Sequence, residues 1–266
     1  MSLKLKIIHI SSIARSGETI LLRDLSVHPD IHVVHDLIEG GGNQAHRSES
    51  QKLFNYIRIN DPKYLTIDKL QSLGFFNYLK IGAKIIILKQ GVFNSDNKNQ
   101  FGFIRSPLYC FNSLYNFEKK TFNFQKKKVW FNNRLPRIIA WSEMCGMETN
   151  LLSKLKKSNC PAEQFVIFYE FRFNQIIKNS KKIFTYENYV KKHKENLSKI
   201  VKFIGIPDNK KIYSAYEYFP KDLIGHGYSK LSEPTKYFRK KVKIEKEYND
   251  KISYMYDRLD LAKYFN

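Results

Sequence analysis

The chain has 266 residues, 42% hydrophobic and 15% aromatic, and its 46 Lys and Arg against 25 Asp and Glu leave a formal net charge of +21. That length and apolar content support a hydrophobic core and exclude a disordered polycation. No apolar run reaches the ~18–20 residues of a membrane-spanning helix, and the opening Met1-Ser2-Leu3-Lys4-Leu5-Lys6 has no secretory apolar region. The three cysteines, Cys110, Cys145 and Cys160, are odd in number and form no Cys-x-x-Cys pair. A zinc site or disulfide framework is therefore disfavoured, and a cytoplasmic location is expected.

The charge invites a nucleic-acid reading, because clustered cations neutralise phosphates. Only about ten of the basic residues are Arg, the residue favoured for bidentate phosphate and base recognition. Most of the charge is thus expected to be solvated surface, and a basic nucleic-acid-binding module without catalysis stays as the alternative.

In chain order, Leu3–Ile10 predicts a strand buried on both faces, followed by a small polar loop and a helix over Ile20–Leu25. His28-Pro29 ends that helix. Ile31–Val34 predicts a second strand, Gly40-Gly41-Gly42-Asn43 a loop, and Leu53–Ile59 a helix. Strands are expected over Ala83–Leu88 and Phe101–Ile104, with Ser106-Pro107 turning into a helix that carries Phe111, Leu114 and Tyr115. Residues 118–135 predict a basic, aromatic surface excursion. Glu163–Lys178 predicts a helix, Lys182–Tyr186 a strand, and Leu197–Ile204 a helix closed by Gly205. Residues 207–250 are expected to be irregular, with a helix over Tyr248–Lys263. Alternating strands and helices imply an α/β fold in one domain, 1–266: a central, mostly parallel sheet flanked by helices.

A strand, a polar loop and a helix place backbone N–H groups on an anion. The loop after the first strand fails the Walker A pattern, since no Lys follows Gly17. What stands there is Arg15-Ser16-Gly17-Glu18-Thr19, a cation before the glycine and a hydroxyl after it. By itself this also describes an ordinary turn with an N-capping hydroxyl. A second feature is Arg105-Ser106-Pro107 at the end of a buried strand, with Ser113 eight residues beyond the Arg. That Arg can fork two donors onto a phosphate.

Together these residues resemble the sulfotransferases that use 3′-phosphoadenosine 5′-phosphosulfate (PAPS). In that family the loop [KR]-S-G-T-T binds the 5′-phosphosulfate, and R-[DS]-P with a Ser eight residues past the Arg binds the 3′-phosphate. A third block agrees: Ile183-Phe184-Thr185-Tyr186-Glu187-Asn188-Tyr189, then Phe203-Ile204-Gly205-Ile206-Pro207, is similar to the family's Y-E-[DN]-L and F-L-G-[IL]-P segments. Arg23 and His28-Pro29 bring the stretch nearest to the tyrosylprotein and Golgi-type carbohydrate branch. Glu18 departs from the family, where a hydroxyl is usual, and a carboxylate there repels a phosphosulfate unless it turns away or pairs with a cation.

The resemblance implies a P-loop-like three-layer fold, PAPS as donor, adenosine 3′,5′-bisphosphate (PAP) as product and no metal. It places Arg15 and Lys89 on the sulfuryl group, Ser16, Gly17, Glu18 and Thr19 in the 5′-phosphate loop, Arg105 and Ser113 on the 3′-phosphate and Tyr186 at the adenine. Ser229 and Arg239-Lys240-Lys241 are candidates to close over the donor. Asp36 falls where the tyrosylprotein enzymes place their base, with Glu39, His35 and His46 competing. The implied acceptor is a hydroxylated saccharide, lipid-linked glycan, small metabolite or tyrosine, in a bacterial cytoplasm. A non-catalytic form of the fold, with Glu18 blocking the donor, is a further reading.

Overall fold

The computed structural model describes residues 4–34, 47–90, 99–124, 135–217 and 244–265. The first strand, β1 (Lys4–Ser12), is buried on both faces, as its run of branched apolar residues requires. Parallel to it lie β2 (Ile31–Val34), β4 (Ile85–Gln90), β5 (Gln100–Ile104) and β6 (Ile183–Thr185), in the order β2-β4-β1-β5-β6. Four of these five strands match expectation to within a few residues. The fifth, expected over Lys182–Tyr186, stops one residue early: Thr185 caps the helix that follows, its Oγ1 accepting from Asn188 N at 3.3 Å. Tyr186 is therefore the first residue of a helix.

A sixth strand, β3 (Tyr64–Thr66), pairs antiparallel with the start of β1, Leu65 opposite Leu5. Three residues with only Leu65 buried are too short for a readable alternation.

Helices cover both faces. On one side α1 (Glu18–Ser26), α8 (Tyr186–Lys191) and α9 (His193–Ile204) bury Leu21, Leu22, Tyr189 and Ile200 against Ile8 and Ile10 of β1. On the other, α2 (Arg47–Asn60) and α3 (Ile67–Ser72) pack Leu53, Ile57 and Leu70 on Ile7 and Ile86. A third cluster joins α4 (Pro107–Phe124), α5 (Pro136–Met144), α6 (Thr149–Lys157), α7 (Pro161–Asn179) and α10 (Lys246–Arg258) through Phe111, Ile138, Leu155, Phe165 and Ile252.

Three expectations need correction. The surface excursion over 118–135 is helical in its first part, because α4 continues to Phe124; Cys110, Phe111, Leu114 and Glu118 recur on one buried face. Residues 207–250 contain a 3₁₀ segment, Lys210–Glu217. The C-terminal helix is two helices, α10 and α11 (Ala262–Phe265), parted where Asp260 takes φ +48°, a left-handed value that stops an α-helix. Gly205 closes α9 with φ +83° as expected.

Candidate functional site

Parallel registration brings the C-terminal ends of β4, β1 and β5 side by side, Ile10 beside Lys89 and Ser12 beside Phe103. Open α/β sheets bind ligands at this edge, where strand order reverses. β1 leads into the loop Ile13–Gly17, and Gly17 caps α1 with a φ of +81°, a value that suits only glycine comfortably. Arg15 also takes a left-handed backbone, φ +69°. Ser16 N donates to Ile13 O at 3.0 Å, closing the turn.

On the β5 side the register sets Ile104 against Thr185, so Arg105 and Tyr186 leave the sheet as neighbours. The Arg105 guanidinium lies 4.3 Å from the centre of the Tyr186 ring, and its Nη1 donates to Arg15 O at 3.3 Å. Arg15 Nε in turn donates to Ser113 Oγ on α4 at 3.3 Å. Tyr186 also rests on Gly17. Arg15, Gly17, Arg105, Ser113 and Tyr186 thus form one cluster.

On the β4 side, Lys89 Nζ stands 3.1 Å from Glu18 Oε1, both side chains largely buried. Glu18 therefore does what the charge argument demanded of it and pairs with a cation. Lys89 and Arg105 flank the loop on strands either side of β1, about 10 Å apart in sheet spacing. Thr19 is half-buried in the first turn of α1. Ser16 is fully buried, with its hydroxyl toward Cys110 Sγ at 3.8 Å, so its side chain faces the interior. Burial raises the Cys110 thiol to about 12, leaving it protonated at neutral pH.

Asp36, Glu39, His35, His46, Ser229 and Arg239-Lys240-Lys241 lie outside the described residues, as does the Gly40–Asn43 stretch.

Three further groups support the site; of these Glu187 falls within a block read from the sequence, whereas Tyr169 and Arg172 carry no signal in its pattern. Glu187 Oε1 accepts from Ser106 N at 3.0 Å and pins the turn after β5; burial raises its carboxyl above the usual range. Tyr169 on α7 donates to Arg105 O at 2.7 Å, fixing the arginine's main chain. Arg172, fully buried on α7, donates through Nη2 to Ser12 O at 3.3 Å and Ser11 Oγ at 3.4 Å, placing a guanidinium behind the end of β1. Among the described residues no cluster of His, Cys, Asp or Glu is built to hold a metal, and no helix is long and apolar enough to cross a membrane.

This sheet order, with its loop and flanking helices, is the fold of the sulfotransferases. The chain is similar to the sulfotransferase domain from the curacin biosynthetic pathway at 12% identity and a TM-score of 0.52, over 98% of this chain and 99% of that one. Weaker likenesses are to a sulfotransferase from Alicyclobacillus acidocaldarius (12% identity, TM-score 0.49, 97% and 93% of the two chains) and to mouse sulfotransferase SULT7A1 complexed with PAP (16%, 0.43, 97% and 83%). No family model and no curated sequence matches the chain.

Proposed function

We propose that this chain is a PAPS-dependent O-sulfotransferase, its 266 residues forming one such domain. The observation that carries the reading is the meeting of Arg15, Gly17, Arg105, Ser113 and Tyr186 on one side of the β1 loop, with Lys89 on the other.

In this reading the start of α1 presents its N–H groups to the donor's 5′-phosphate, with Thr19 adding a hydroxyl. Arg105 and Ser113 take the 3′-phosphate, and the Tyr186 ring takes the adenine. Lys89 and Arg15 bring positive charge to the sulfuryl oxygens and to the bridging oxygen. The acceptor hydroxyl attacks sulfur in line with the leaving phosphate oxygen: an acceptor O–S bond forms, the S–O bond to the phosphate breaks, and the hydroxyl proton passes to a base. Asp36 is our candidate base, by its place in the sequence, with Glu39, His35 and His46 as competitors. Fixed cations near the transferring group stabilise charge that develops in the transition state, so no metal is required by this scheme. A saccharide or glycan is the acceptor class we favour, as in the Golgi-type branch.

Titration with adenosine 3′,5′-bisphosphate tests the reading. A ligand that binds only the folded state stabilises it by RT ln(1 + [L]/Kd), about 4 kcal/mol at a thousandfold excess over Kd. A rise in melting temperature is expected. No shift, together with salt-sensitive affinity for DNA or RNA, would instead support the nucleic-acid module. No shift and no such affinity would leave a fold without donor binding.

A further inference from the structure

We propose that Arg137 is a further guanidinium for the donor's 3′-phosphate, held ready by Glu118 and Phe117; the inference rests on the donor reading above. The Phe117 ring has two cations on it: the Arg15 guanidinium carbon lies 4.7 Å from its centroid and that of Arg137 lies 4.4 Å away. The two charges are therefore within about 9 Å of each other. Phe117 stands one helical turn beyond Ser113 on α4, and residues four apart share a helix face. Ser113 is the hydroxyl that Arg15 already contacts. Arg137, from α5, thus arrives at the same corner as the residues assigned to the 3′-phosphate.

Glu118 explains how the arginine is held. The carboxylate is fully buried, and its Oε1 lies 3.4 Å from Arg137 Nε. That contact uses the inner edge of the guanidinium, while the side chain keeps 38% exposure. A planar guanidinium held at Nε and packed over a ring presents its Nη groups in a restricted direction, the preorganisation a phosphate fork needs. Arg15, Arg105 and Arg137 then concentrate positive charge at one edge of the cleft, with Glu118 as the counter-charge at the Nε of Arg137. A phosphate carrying up to two charges supplies the missing anion. The consequence is donor discrimination: Arg137 favours nucleotides bearing the 3′-phosphate over those without it.

The experiment is calorimetric binding of adenosine 3′,5′-bisphosphate and adenosine 5′-monophosphate to wild type, Arg137→Gln, Arg137→Lys and Arg105→Gln. Arg137→Gln is expected to weaken the bisphosphate about tenfold while changing the monophosphate less than about twofold, the signature of one lost charge-assisted contact. Arg137→Lys should fall between, keeping charge without the fork. Equal losses for both nucleotides, or no loss for either, would overturn the inference. If wild type fails to bind the bisphosphate, the donor reading itself falls. Should Arg137→Gln not fold, Phe117→Leu, which keeps apolar bulk but removes the ring, must show the same selective loss; an unselective change counts against us.

Discussion

The ring of Tyr186 rests directly on Gly17: a Cβ added at the glycine would lie 2.5 Å from Cδ2 and Cε2 of the tyrosine. The first residue of α8 thus roofs the last residue of the β1 loop, and Arg105 stacks on the same ring. Gly17→Ala would meet two penalties, a left-handed φ that costs about 1 kcal/mol for a residue with a Cβ and a ring that must swing away from Arg105. We expect a lower melting temperature and at least tenfold weaker bisphosphate binding. Wild-type affinity in calorimetry would mean that the ring can move without disturbing the site.

Glu18→Gln should separate stability from affinity. It removes a partner of the largely buried Lys89 ammonium, so the fold should lose about 1–3 kcal/mol in urea melts. It also removes a negative charge from the donor loop, so bisphosphate affinity should rise severalfold. A fall in both would show that Glu18 itself helps to hold the donor.

Arg105→Ala should weaken bisphosphate binding at least tenfold, since a charged hydrogen bond contributes ~1.5–3 kcal/mol. The main-chain bond from Tyr169 to its carbonyl survives the change, so the melting temperature should hardly move. Unchanged affinity would remove Arg105 from the donor site.

His9 makes stability depend on pH. It lies fully buried on β1, and burial lowers its pKa from 6.5 to about 4, against a smaller opposing pull from Asp61. The folded state therefore resists protonation that the unfolded chain accepts. Its neutral form carries no such penalty above pH 6.5; stability falls as pH drops below that value and stops falling near pH 4. A shift of this size is worth about 3 kcal/mol. Urea midpoints for wild type and His9→Gln between pH 7.5 and 4 should converge as the pH falls; parallel curves would exclude His9 as the source.

Asp24 ties α1 to α8 and α9. Its Oδ1 accepts from Arg23 Nε at 2.8 Å, while Oδ2 meets His193 Nε2 at 2.8 Å and the Tyr189 hydroxyl. Arg23, Asp24 and Tyr189 are all buried. Asp24→Ala would strand the Arg23 charge, and removing one partner of a buried pair costs about 3–5 kcal/mol. Loss of cooperative unfolding, or a midpoint lowered to match, is expected. A change below about 1 kcal/mol would show that water compensates the arginine.

What the sequence discloses here follows from the range of the interaction. The β1–loop–α1 unit, the strand before Arg105, the Arg105-to-Ser113 interval and Gly205 each rest on contiguous residues, so pattern and spacing reveal them. Lys89 is legible as a strand-end cation, and the need to neutralise Glu18 is legible from charge, though not that these two residues meet. Tyr186, expected as the last residue of a strand, instead opens a helix because Thr185 acts as a cap, a choice that neither alternation nor propensity signals. β3 is too short to show a period. Arg137, Glu118 and Arg172 stay hidden for a different reason: each sits in an ordinary helical stretch and gains meaning only from a partner on another element.

The placement of β1 between β4 and β5 also has a temporal consequence. Arg15 and Ser113, hydrogen-bonded in the cleft, are 98 residues apart in the chain, and the roofing tyrosine comes later still. A nascent chain shorter than that has the loop but not its lid, so under the proposed function nucleotide capture would be acquired late in synthesis. Once acquired, it bridges early and late segments, and bound nucleotide should slow unfolding of the whole sheet rather than of one loop.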